Sequence, residues 1–233
     1  MAILGSIALV AGLFVGAGTA AAAPTVPVGP GTGFFLDGNI QGCTITAVGR
    51  DNANRLVALS VGHCARLEST GTFAPVGHVV RKMTGQGSQS PAIGTVTATR
   101  TYTPTPNNAP SKTDLDYSII LLDENVVIPR TDSEDNNVHL SSIGNGSLFQ
   151  NACKDGASTG FTCGLILFNG PIWQGSYAAS FGGDSGSPFV VGTKLVGLLA
   201  GLDPSNGSTQ FYKINETLAA INATGGVGAG FHL

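Results

Sequence analysis

Charge is what this chain has least of. Asp, Glu, Lys and Arg supply 11% of its 233 residues, less than half of the ~25% usual in soluble domains. No Lys or Arg precedes Arg50, and the net charge is −3. With no basic cluster anywhere, nucleic acid is not expected as a partner. The zinc-protease pattern H-E-x-x-H does not occur, and no two cysteines are spaced C-x-x-C. Without these signatures, neither a metal nor another cofactor is expected. Past the first two dozen residues there is no run of about 20 apolar residues, so no membrane span is expected beyond that opening segment. Helical patterning is nearly absent as well. "INETLAAINA" is the one helix candidate, over about residues 215–223.

What is present points outward from the cytoplasm. Apolar residues reach 42%, enough to bury a core in a chain of this length. The opening "ILGSIALVAGLFVGAG" is apolar and is followed by small residues and then prolines. It reads as a signal peptide over residues 1–22, cut after Ala22, which leaves a short Pro-rich start at 23–30. Its lack of a positive charge leaves a retained anchor as the other reading. The cysteines, Cys43, Cys64, Cys153 and Cys163, are even in number, as in disulfide-bonded exported chains. Four cysteines allow three pairings. The nearest-neighbour one, Cys43–Cys64 with Cys153–Cys163, puts one bond in each half and is expected here. The localisation expected is secreted or extracytoplasmic, at the cell envelope or outside it.

From Gly31 onward the chain reads as short strands. "CTITAV", "LVALSV", "VGHVVRKM", "GTVTATRTYT", "DYSIILL", "LILFNG", "SPFVV", "KLVGLLAG" and "TQFYKI" are rich in Val, Ile, Thr and aromatics, and turn residues separate them. Many short strands spaced this way indicate an all-β sandwich or barrel. The polar stretch 123–137 divides them into two sets, about 31–125 and 138–213. A Gly-rich segment, 225–233, follows the helix candidate and reads as a loose tail.

One turn-rich stretch carries chemistry. In "FGGDSGSPFV" small residues surround Ser185 just before an apolar run. A surface turn is the bland explanation. A nucleophilic serine, however, needs a base, an acid that orients the base, and donors for an oxyanion. The chain offers His63 at the end of an apolar run beside Cys64, Asp116 at the start of another, and Asp114 as the fallback acid. An α/β-hydrolase elbow requires G-x-S-x-G and a histidine downstream. Here the fifth position is Ser187, and only His232, in the tail, follows.

The motifs "SVGHC", "DYSIILL", "GGDSGSP" and "CKDGASTGFTCG", in that order, resemble chymotrypsin-like serine proteases. The bacterial branch that includes alpha-lytic protease and the streptogrisins is the most similar. The resemblance spans about residues 31–223. It implies two six-stranded antiparallel β-barrels with a short C-terminal helix, and a site between the barrels. It implies an endopeptidase in which His63 deprotonates Ser185 and Asp116 orients His63. The N–H groups of Gly183 and Ser185 would form the oxyanion hole, each lowering the barrier by roughly 3 kcal/mol. The partners implied are protein or peptide substrates, acted on by a monomer.

The resemblance also carries expectations about specificity and activation. The position six before the nucleophile, Ala179, and its neighbour Ser180 would floor the primary pocket, with Ala200, Gly201 and Leu202 along its wall. No acid is available there, so small or apolar residues are expected before the cut bond. Lys154, directly after Cys153, occupies the place of an internal basic residue. It would pair with Asp184 and shape the oxyanion loop without proteolytic activation. Two positions depart from the family. Ser187 replaces the second glycine of S-G-G-P, and Leu202 stands where glycine often lets the substrate strand approach. These departures motivate the alternative of an inactive homologue serving as a binding module.

Overall fold

The computed structural model describes residues 25–84, 89–102 and 109–233. The expected signal segment lies outside the described residues. Sixteen strands and one α-helix are found among those described. The first set comprises β1 (Val26–Val28), β2 (Gly33–Leu36), β3 (Cys43–Thr44), β4 (Ala47–Arg50), β5 (Leu56–Ser60), β6 (Val79–Met83), β7 (Gln89–Arg100), β8 (Tyr117–Leu122) and β9 (Val127–Pro129). The second comprises β10 (Ser142–Ile143), β11 (Asn151–Gly156), β12 (Gly160–Asn169), β13 (Trp173–Ser176), β14 (Pro188–Val191), β15 (Lys194–Asp203) and β16 (Ser208–Lys213), and α1 (Ile214–Thr224) closes the series.

The strands form a chymotrypsin-like pair of barrels. In the first sheet the order is β3-β2-β6-β7-β8-β5-β4, all antiparallel. Its two ends, β3 and β4, are successive parts of one bent run. Ile45 at the bend donates its N–H to Thr32 O at 2.8 Å while Thr46 donates to Leu59 O at 2.8 Å. The bend thus joins the two edges of the sheet. The second sheet runs β15-β14-β11-β12-β13-β16 and closes on itself through β15–β16, with β10 added in parallel at β15. Its interior holds the stacked rings of Phe189 and Phe211, 4.1 Å apart and both fully buried. Central strands such as β5 are buried at every position, so they read as unbroken apolar runs rather than as alternation.

Three segments differ from the sequence expectation. The polar connection, read only as the divider between the two strand sets, also carries a strand: β9 lies within it and pairs in parallel with β1, because Val127 is an apolar residue that the barrel buries. The helix extends one residue further at each end, with Ile214, Thr217 and Ile221 on the buried side. Their spacing of three and four is that of a single helical stripe. The Gly-rich tail is not loose. Phe231 is buried, His232 bridges Arg50, and Gly228 N–H donates to Asp51 Oδ2 at 3.0 Å.

Both disulfides expected from nearest-neighbour pairing are present, Cys43–Cys64 and Cys153–Cys163. The first closes a 21-residue separation, worth about 3 kcal/mol in the chain-entropy model. Among the described residues no helix is long and apolar enough to cross a membrane.

Candidate active site

His63 stands on a 3-10 turn, Gly62–Ala65, that ends β5. The Cys64 disulfide ties this turn to β3. Asp116 precedes β8, the strand paired with β5, so backbone pairing alone brings the acid to the histidine. Asp116 is wholly buried. Its Oδ1 accepts the His63 backbone N–H at 2.9 Å, and its Oδ2 lies 2.5 Å from His63 Nδ1. A side chain at position 62 would strike the Arg100 carbonyl and crowd Asp116, so this approach requires glycine. With a carboxylate facing Nδ1, the proton sits there and Nε2 is left with its lone pair. Burial pushes the His63 pKa down, but the adjacent Asp116 charge and hydrogen bond outweigh it, and the net shift is upward. Asp114 takes no part: it is exposed and accepts hydrogen bonds from Ser111 and Thr113.

Ser185 opens toward the same cleft as His63, a space of about 730 Å³ that Gln41, Arg66, Tyr102 and Leu202 also line. The loop carrying it is held by its carbonyls. Gly183 O accepts from Thr44 Oγ1 at 2.8 Å, Ser185 O from Thr44 N–H at 2.8 Å, and Gly186 O from Thr46 Oγ1 at 2.6 Å. With the carbonyls held against the first barrel, the N–H groups of Gly183 and Ser185 meet no acceptor among the described residues. Gly183 has φ +99°, a conformation that glycine adopts without steric cost.

Behind this loop lies a buried ion pair. Lys154 Nζ is 3.1 Å from Asp184 Oδ2, and both side chains are fully buried. Lys154 also donates to Gly160 O at 2.8 Å and to Thr159 Oγ1. Asp184 accepts from the Ser158, Thr159 and Phe181 N–H groups at 3.0, 3.0 and 2.9 Å, and from the Thr159 hydroxyl at 2.6 Å. Burial alone would raise the Asp184 pKa. The Thr159 bonds, the Phe181 bond and the Lys154 charge more than offset it, and the pKa is lowered.

The remaining positions named from sequence fall as follows. Ser180, Ala200, Gly201 and Leu202 line the cleft. Ser180 Oγ is 2.7 Å from Thr209 Oγ1. Ala179 is exposed, and its carbonyl accepts from Thr162 Oγ1 at 2.7 Å. Ser187 is buried with negative φ, and its hydroxyl donates to Asp184 O at 2.5 Å. A serine therefore fits at the place where the resembled motif has glycine. Sequence reading did not single out Gln41, Arg66, Thr101, Tyr102 or Phe181, which all line the cleft. His78, His139 and His232 lie away from it.

Solved structures share this fold. A Nocardiopsis protease matches with a TM-score of 0.62 and 17% identity, over 84% of this chain and 97% of its own. Protease A of Thermobifida fusca matches with 0.59 and 20%, over 84% and 96%. A serine protease described as specific for glutamic acid, with a histidine triad in substrate binding, matches with 0.60 and 20%, over 83% and 97%. At these identities the likeness is one of fold, the bacterial chymotrypsin-like serine protease fold. No protein-family model and no curated protein matches the sequence.

Proposed function

We propose that this chain is an exported serine endopeptidase working through an acyl-enzyme. The observation that carries the reading is the Asp116–His63 pair, 2.5 Å between Oδ2 and Nδ1, in one cleft with Ser185. His63 Nε2 takes the Ser185 hydroxyl proton as Oγ attacks the peptide carbonyl. Asp116 fixes the tautomer and balances the imidazolium that forms. The Gly183 and Ser185 N–H groups receive the oxyanion. His63 then gives its proton to the leaving amine, and a water deprotonated by His63 releases the acyl group. The two disulfides and the apolar opening segment support export.

Among the described residues no acid lines the cleft, which supports small or apolar residues before the cut bond. The glutamate preference of one fold neighbour does not carry over, because the histidine triad described for it has no counterpart here: among the described residues His63 is the only histidine lining this cleft. The inactive reading rested on Ser187 and Leu202. Ser187 sits without a positive φ, and that weakens it.

The test is fluorophosphonate labelling of the purified mature chain, with peptide hydrolysis measured in parallel. The wild type is expected to label and turn over. Ser185→Ala should do neither while keeping its circular dichroism, since losing the nucleophile costs on the order of 10⁴-fold or more. A wild type that neither labels nor hydrolyses, or hydrolysis retained in Ser185→Ala, overturns the reading.

A further inference from the structure

Among the described residues Arg66 is the one permanently charged side chain on the cleft wall, and no step of the proposed chemistry uses it. Its own loop fixes it in place. Nη1 donates to Gly71 O at 2.8 Å, and the guanidinium carbon lies 4.9 Å from the centre of the Phe73 ring. Its carbonyl accepts from Asn39 Nδ2 at 2.8 Å. Yet no carboxylate pairs with it. All 14 acids of the chain fall among the described residues, and the ion pairs they form engage other cations. Glu68, two residues on, is turned elsewhere: its Oε1 accepts the Ile40 and Gln41 N–H groups at 3.0 and 2.6 Å. The other guanidinium donors meet no acceptor among the described residues. The charge reaches the site, for it pulls the His63 pKa downward against the larger effect of Asp116.

The position of Arg66 follows from the chemistry. In the endopeptidase reading the acyl half of a substrate lies along Ser180 and Ala200–Leu202 of the second barrel, which line the cleft. The leaving amine must sit where His63 can protonate it, on the opposite side of Ser185. Gln41 and Arg66 belong to the first-barrel wall of the cleft, as His63 does, and are tied together there by the Cys43–Cys64 disulfide and by Asn39 and Glu68. A fixed, stacked guanidinium with free donors is matched by a carboxylate.

We propose that Arg66, beside Gln41, is a specificity-determining residue that accepts a carboxylate side chain on the leaving-group side. The preferred substrates are then peptides with Asp or Glu in the first two positions after the cut bond. This rests on the endopeptidase reading above.

The test uses matched internally quenched peptides that differ only in Glu, Gln or Lys at those two positions. They are assayed with the wild type, Arg66→Gln, Arg66→Lys and Arg66→Glu. In the wild type kcat/KM should favour Glu over Gln by about three- to tenfold, the range for a partly exposed charge-assisted contact, and the ratio should shrink with added salt. Arg66→Gln should bring the ratio near one, Arg66→Lys should restore part of it, and Arg66→Glu should favour Lys. The same peptides are titrated against Ser185→Ala, and against Ser185→Ala carrying Arg66→Gln, to read binding without turnover. Acid-selective binding that Arg66→Gln removes supports the subsite even where the wild type proves inactive, which separates this proposal from the endopeptidase reading. Equal kcat/KM for Glu and Gln peptides in an active wild type, or an acid preference unchanged in Arg66→Gln, overturns it.

Discussion

At the scale of single residues, the site turns on one short contact. In the proposed mechanism His63 must be neutral to act as base, so its raised pKa would set the acid limb of activity. The sign is fixed: protonation persists to higher pH than usual, and kcat/KM should rise only above the ordinary histidine value of about 6.5. In Asp116→Asn the attraction is gone and burial, which lowers the pKa, is left to act. The acid limb should therefore move downward, and kcat should fall by roughly 10⁴-fold because the amide no longer holds the correct tautomer. A pH profile of kcat/KM for both proteins checks this. A limb that does not move disconnects Asp116 from His63. These residues were legible because their signals are local: a histidine beside a cysteine, an acid opening an apolar run, a serine in a glycine-rich turn. Arg66 was not, because its significance lies in the absence of a partner, and only the folded chain shows which carboxylates are spent elsewhere.

At the scale of elements, β11 shows where sequence reading fails and why. "NACKDG" holds one small apolar residue besides its cysteine and two adjacent charges, so propensity argues against a strand. It is one nonetheless, because Lys154 and Asp155 point to opposite faces and each finds a buried setting. The short β2 and β13 escaped notice for the related reason that four residues give too little periodicity to read. The Lys154 side chain makes β11 a support for the Ser185 loop. Lys154→Met leaves Asp184 buried without its cation, a loss that typically costs about 3–5 kcal/mol. Stability and kcat should fall together, whether or not the protein has met another protease. The double variant Lys154→Met with Asp184→Asn should recover much of the stability, since it leaves no lone charge behind. Thermal melts and initial rates of the wild type, Lys154→Met, Asp184→Asn and the double variant measure both effects. A single variant with wild-type activity and melting temperature would show that the pair does not shape the loop.

At the scale of the whole molecule, the tail fastens one barrel to the other. α1 continues directly from β16 of the second barrel, and the residues after it cross to the first. There His232 and Arg50 exchange two backbone hydrogen bonds, each 2.9 Å. Asn52 N–H donates to Ala229 O at 2.9 Å, and Arg55 Nη2 donates to Gly226 O at 2.9 Å. The buried Asp51 depends on the same crossing. Burial opposes its charge, yet hydrogen bonds from Arg55, Gly228 and Ala53 lower its pKa to about 2. Removing residues 226–233 takes away one of those donors and uncovers the edge of β4. Phe231→Ala should cost about 3 kcal/mol or more, the usual range for emptying a buried aromatic site. Gly49→Ala attacks the same contact from the other side, because a methyl group there collides with the His232 carbonyl and the Phe231 ring. The two substitutions lie far apart in sequence but meet at one place. Each should lower the melting temperature and speed amide exchange in β4, and the double variant should lose less than the sum of the two. Strict additivity, or exchange in β4 that neither change affects, would show that the tail lies on the first barrel without holding it.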